Sequence, residues 1–197
     1  MNNDFIEVYD NILSSSSCKS IIENFENTDD SLKTRNTSLT KAKKISTNLH
    51  LNFSDLNYEY FNYEIIRGVS YCLLSYKQKY SYLNQQAKWN INHRYNIQKY
   101  HDGEGYYTLH HEHSQLHPYR MMVWMVYLNN AKCGTFFQQQ NKTIDALEGR
   151  IVIWPAGWTH AHNGVTPNIG IKYIATGWFS YEPEYENGNL KIYGIDK

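Results

Sequence analysis

After about residue 90 the chain adopts a period of two, and that alternation restricts it to a small set of folds. RYNIQKY, GYYTLHHEH, RMMVWMVYLN, GTFFQQQ, GRIVIWP and IGIKYIATGWF are short and rich in β-branched and aromatic residues. Turn-forming residues separate them at His101–Gly105, Asn129–Lys132, Gly149, Pro155–Gly157 and Asn163–Gly170. Several short strands at this spacing read as a sandwich or a barrel. The first 90 residues read differently. Serines at Ser14–Cys18 can cap a helix whose apolar positions Ile21, Ile22 and Phe25 recur at helical spacing. A second helix, packed on a sheet, is expected from Ser54 to about Tyr80. Residues 27–45 carry Lys33, Arg35, Lys41, Lys43 and Lys44 with no acid after Asp30, the pattern of a solvated loop. The expected architecture is mainly β: a jelly roll, or double-stranded β-helix, with packed N-terminal helices. A single domain is expected over 1–197, with mostly helical support at 1–90, the jelly-roll core at 91–180 and a C-terminal tail at 181–197.

Charge and cysteine content remove several function classes. The 197 residues hold 19 Lys+Arg and 19 Asp+Glu, a formal net charge of zero. That lacks the electrostatic footprint of a duplex-binding domain, so no nucleic-acid partner is expected. It equally lacks a polybasic membrane anchor. Cys18, Cys72 and Cys133 are too widely spaced for a zinc knuckle and read as reduced thiols. MNNDFIEVYD has no basic segment leading into an apolar one, and no apolar run reaches membrane-spanning length, so a cytoplasmic location is expected.

Histidine placement carries the chemistry. Seven of the nine histidines lie between 101 and 162: four in HHEHSQLH, two in THAH, and His101. Core histidines occur singly, whereas neutral imidazole is the commonest metal ligand. In an extended segment side chains alternate, so His110 and Glu112 point one way while His111 and His113 point the other. Two metal readings follow. His110 and Glu112 with His162 would form the two-imidazole, one-carboxylate facial triad of non-haem Fe(II) oxygenases. His111 and His113 with His160 would form a three-histidine site, in a setting that partly resembles the two cupin motifs. A non-catalytic metal- or sugar-binding jelly roll is a third possibility. GxSxG, GxxxxGK[ST] and HExxH are all missing.

Residues 97–179 resemble the prolyl 4-hydroxylase-like branch of the Fe(II)/2-oxoglutarate-dependent dioxygenases, especially the short versions carried by bacteriophages. The resemblance rests on an ordered series: IQKYHDGEGYYTLHHE, RMMVWMVYLNN, GTFF, GRIVIWPAGWTHAHNG and GIKYIATGWF. In that family the distal histidine belongs to a His-x-Gly and precedes a lysine by about ten residues. His162 precedes Lys172 by ten and is followed by Asn163-Gly164, which favours the first metal reading. The chain departs from the pattern at Glu112, where Asp is commoner, and at Cys133-Gly134, where a double Gly is usual.

The resemblance implies a hydroxylase that acts on an unactivated C–H bond and releases succinate and CO2, with a prolyl residue of a peptide or protein as favoured substrate. It implies Fe(II) on His110, Glu112 and His162, and 2-oxoglutarate as cosubstrate; ascorbate is a further candidate cofactor. Lys172 would meet the 5-carboxylate of 2-oxoglutarate, with a hydroxyl from Tyr100. Tyr107, Arg120 and Trp178 would line the substrate pocket. A carboxylate at 112 argues against a halogenase, which needs that coordination position for halide.

Overall fold

The structure, a computed structural model, describes residues 3–37, 44–167 and 170–182, together with a hairpin of β11 (Tyr185–Glu186) and β12 (Asn189–Leu190). Two helices, α1 (Ser15–Asn27) and α2 (Glu59–Lys79), pack on one face of a seven-stranded antiparallel sheet. The sheet strands, in chain order, are β1 (Glu7–Tyr9), β2 (Lys33–Asn36), β3 (Ser46–Asn52), β4 (Trp89–Tyr100), β5 (Arg120–Tyr127), β8 (Ile151–Pro155) and β10 (Lys172–Tyr181). Their spatial order is β1-β8-β5-β10-β4-β3-β2. A smaller sheet of β7 (Lys142–Asp145), β6 (Gly134–Phe137) and β9 (His162–Gly164) faces it from the other side. This is the two-sheet jelly roll expected from the alternation, with its helices on the outside.

The central strands are apolar on both faces because both faces are covered. On β5, Met122, Trp124 and Val126 join the helix-side core, while Val123, Met125 and Tyr127 join the core between the sheets. Ile151 and Ile153 alternate with Val152 and Trp154 on β8 in the same way. α1 begins where expected: the Ser14 hydroxyl accepts from the Ser17 amide at 3.1 Å, and Cys18, Ile21 and Phe25 form its buried stripe. Asp55 caps a short 3₁₀ turn, Leu56–Tyr58, that leads into α2. Phe61, Ile65, Val69, Cys72 and Tyr76 then recur every three or four residues against the sheet. At Gly177 a Cβ would lie 2.4 Å from Trp124 Cζ2, so only glycine lets the cross-strand indole lie flat on β10.

Three segments differ from the sequence reading. Residues 33–36, expected in a solvated loop, pair with β3 as an edge strand, and β3 itself precedes residue 90. Lys44 and Ile45 pair with the 105–106 segment, while Lys41 and Lys43 lie outside the described residues, as does most of the 181–197 tail. GYYTLHHEH forms no continuous strand but runs as an irregular connection held by single bridges.

Candidate active site

That irregular connection builds the site. The His110 amide donates to His162 O at 3.0 Å and the His162 amide returns the bond to His110 O at 2.8 Å. A reciprocally bonded antiparallel pair presents both side chains on the same face. The two imidazole centroids accordingly lie 4.4 Å apart. Two residues further on, the Glu112 amide donates to Ala156 O at 3.0 Å, which brings its carboxylate to the same face.

The donor atoms are turned inward by hydrogen bonds behind them. His110 Nδ1 donates to Thr108 O and His162 Nδ1 to His160 O, both at 2.9 Å. Each ring therefore turns its Nε2 toward Glu112 Oε1, at 3.4 and 4.0 Å. The other carboxylate oxygen, Oε2, accepts from Arg120 Nη1 at 2.9 Å and from Trp178 Nε1 at 3.0 Å, and the guanidinium lies 3.5 Å above the Trp178 ring. Burial opposes ionisation of Glu112, but the hydrogen bond from His110 and the nearby His110, His162 and Arg120 outweigh it and hold the pKa at about 2. Burial, reinforced by His110, lowers the pKa of His162 to about 4. At neutral pH Glu112 is thus a carboxylate and His162 a neutral imidazole. The trio is the only cluster of three or more potential metal ligands among the described residues.

A cavity of about 360 Å³ extends from this triangle to the opposite end of the sheet pair. Lys172, 3% exposed, lies at that end. Its ammonium donates to Val165 O at 3.2 Å, sits 4.9 Å from the centroid of the Tyr100 ring, and has no carboxylate partner among the described residues. Burial lowers its pKa. The Tyr100 hydroxyl donates to Gln98 Oε1 at 2.7 Å. Met125, Thr135, Trp154 and Ile174 line the walls between the two ends.

Of the residues that the family resemblance named, the cavity brings together all except Tyr107. That hydroxyl donates to the Gly103 carbonyl on the half-exposed outside. The tyrosine in the cavity is Tyr106, whose ring stacks on His110 at 3.6 Å between centroids. Alternation counted back from His110 reaches 108 and then 106, so parity selects Tyr106 where the family spacing suggested Tyr107. Arg120 and Trp178 line the cavity but are also tied to the Glu112 carboxylate. The three-histidine set is dispersed: His160 bonds Asp4 O and Thr159 Oγ1, His113 bonds Arg120 O, and His111 sits on the cavity wall. Lys44 and Asn96, which also line the cavity, were not legible as site residues.

Residues 95–180 match the family model of the 2OG-Fe(II) oxygenase superfamily. No curated protein matches the chain. Among solved structures, the 2OG complex of the viral collagen prolyl hydroxylase of Paramecium bursaria Chlorella virus-1 shares the fold at a TM-score of 0.67 and 20% identity, over 90% of this chain and 97% of that one. A Pseudomonas putida prolyl-4-hydroxylase gives 0.69 at 13% identity over 90% and 93%. The Trichoplax adhaerens prolyl hydroxylase, in complex with a peptide fragment of the hypoxia inducible factor oxygen degradation domain, gives 0.65 at 17% over 91% and 84%. The donor set suits Fe(II): two imidazole nitrogens and one carboxylate oxygen converge, leaving the rest of an octahedron free. No described helix is long and apolar enough to cross a membrane.

Proposed function

We propose that this chain hydroxylates an unactivated C–H bond, with a prolyl residue in a peptide or protein as the favoured substrate. Fe(II) would be held by His110, Glu112 and His162, and 2-oxoglutarate would be anchored by Lys172. The observation that carries this reading is the pairing of ends in one cavity: a three-ligand face at one, and at the other a buried ammonium without a carboxylate partner among the described residues. A buried, unpaired cation is costly, and a ligand carboxylate removes that cost.

When bound, Fe(II) and 2-oxoglutarate supply the oxidising chemistry: O2 is consumed, one oxygen enters the substrate as hydroxyl, and succinate and CO2 leave. The chain supplies position. Thr108 O and His160 O fix the tautomers of the two imidazoles, while Arg120 and Trp178 occupy Oε2 so that Glu112 presents Oε1 alone. Met125, Ile174 and Trp154 shed water from the space between metal and anchor. The prolyl preference is supported by the fold shared with the prolyl hydroxylases of the virus, Pseudomonas and Trichoplax.

The test is direct. Anaerobic titration of 2-oxoglutarate into the Fe(II) protein should give the visible absorbance of the chelate, and aerobic incubation with proline-containing peptides should raise succinate release. A protein that binds Fe(II) but forms no chelate would refute the reading.

A further inference from the structure

A second, larger hollow adjoins the metal cavity and has no part in holding metal or cosubstrate. This groove of about 840 Å³ shares Asn96, His117, Arg120 and Trp178 with the cavity, so these residues form a sill between the two. β4 runs through both. Tyr95 and Ile97 face the helix-side core, so Asn92, Arg94, Asn96, Gln98 and Tyr100 share the opposite face. The first two line the groove, Asn96 the sill, and the last two the cavity up to Lys172.

The sill is held ready for a partner. His50 Nδ1 lies 2.6 Å from Asn96 Oδ1, and His50 Nε2 lies 3.0 Å from Thr34 Oγ1. An amide oxygen only accepts, so Nδ1 carries the proton and Nε2 accepts from the Thr34 hydroxyl. The Asn96 NH2 group is thereby left with its donors unused at the junction, suited to a carbonyl of an entering main chain.

The charged side chains that line this path are mostly basic although the whole chain is neutral. Elsewhere Arg35, Lys99, Lys142 and Arg150 each pair with a carboxylate. Arg94 in the groove and Lys44 in the cavity wall have no acidic partner among the described residues, and the Lys44 ammonium lies 5.4 Å from the Tyr106 ring centroid. Asp55, the one carboxylate lining the groove, is occupied in capping the Leu56–Tyr58 turn. In the cavity, Fe(II), Glu112 and dianionic 2-oxoglutarate would together carry a single negative charge, which Lys172 offsets. Lys44 and Arg120 then remain as excess positive charge.

We infer that the substrate is an acidic stretch of polypeptide, laid in extended form along the polar face of β4, with a main-chain carbonyl on Asn96 and carboxylates beside Lys44 and Arg94. The inference rests on the hydroxylase reading above and narrows its substrate class. Two probes test it: an end-blocked pentapeptide with a central proline flanked on both sides by glutamates, and its glutamine counterpart. Binding of each to the anaerobic Fe(II) protein with 2-oxoglutarate is followed by indole fluorescence, since Trp178 lies on the sill. The acidic peptide should bind about tenfold more tightly, as expected for two partly screened ion pairs. That advantage should shrink as salt rises toward about 0.5 M and disappear in the Lys44→Gln/Arg94→Gln double variant. Arg94→Glu, at an exposed position, should favour the glutamine peptide. Equal affinities in the native protein, or an advantage that survives the double variant, would overturn the inference. The chelate absorbance, read in the same samples, separates the two claims. Charge selectivity without a chelate would sink the hydroxylase reading and leave acidic recognition standing; a chelate without selectivity would sink acidic recognition alone.

Discussion

Replacing Lys172 by methionine should move two measurements in opposite directions. The ammonium is 3% exposed, donates only to Val165 O, and has no carboxylate partner among the described residues. Without ligand, the folded protein therefore carries a poorly compensated buried charge. Methionine has a similar length, fills the same space between Tyr100 and the β9 end, and needs no counterion. Exchanging buried ionic groups for apolar ones of similar volume often stabilises by about 1–4 kcal/mol. At the low end of that range the ligand-free midpoint should rise by about 2–4 °C for a chain of this size. Binding of 2-oxoglutarate should respond the other way, because its 5-carboxylate would enter the same buried end without a cation. A buried pair broken on one side loses about 3–5 kcal/mol, so the dissociation constant should rise by two orders of magnitude or more, at about 1.4 kcal/mol per tenfold. Fe(II) affinity should stay the same, since Lys172 is not a ligand. Thermal unfolding of the apoprotein and anaerobic titration of the chelate band measure the two effects. A variant that melts lower and keeps its 2-oxoglutarate midpoint would mean that Lys172 is a structural cation and that the anchor lies elsewhere.

His110→Ala, Glu112→Ala and His162→Ala should each abolish Fe(II)-dependent succinate release, whereas His111→Ala should keep it; a dead His111→Ala with an active His110→Ala would reverse the metal assignment. Arg120→Ala should weaken Fe(II) binding by about 10- to 100-fold, because Glu112 Oε2 loses its charged donor; competition with a chelating dye reads this, and unchanged affinity would show that Trp178 suffices. Gly177→Ala should cost about 1–3 kcal/mol by driving a methyl into the Trp124 indole, visible as a lower urea midpoint; an unchanged midpoint would mean that the register shift between β10 and β4 at Gly177–Phe179 absorbs it. Burial raises the thiol pKa of Cys18 to about 11 and of Cys72 to about 12. A raised thiol pKa means the neutral form persists below that value, so alkylation of the native protein at pH 8 should spare both and proceed at both in urea. Rapid labelling of either in the folded state would contradict the packing around α1 and α2.

The jelly roll was legible because its central strands are covered on both faces. MMVWMVY and IVIWP are apolar at every position, and no helix of that length would need to be. Strands β2 and β3 escaped notice for the opposite reason. KTRN is an exposed edge without an apolar residue, and STNLHLN buries Ser46 and Asn48 on one face, so that only Leu49 and Leu51 mark an alternation. β4 hides its site residues in the same manner: a face that lines a polar groove has no hydrophobic marker to count.

The sequence by itself determined the two-sheet architecture, the helices that cover it, and a small set of metal-ligand candidates. Those depend on local periodicity and on ligand spacing along one short segment, and both are written in residue order. The tertiary structure alone decided what meets across the chain. The reciprocal His110–His162 bonds bring one histidine pair together, while His160 is drawn off to Asp4. The 44–45 segment carries Lys44 against Tyr106, and β3 carries His50 against Asn96. Arg120 reaches Glu112 from a different strand and shares it with Trp178 of a third. Each of these contacts joins residues distant in sequence through backbone pairing, and a single chain has no local signal for a partner that only the folded sheet brings within hydrogen-bonding distance.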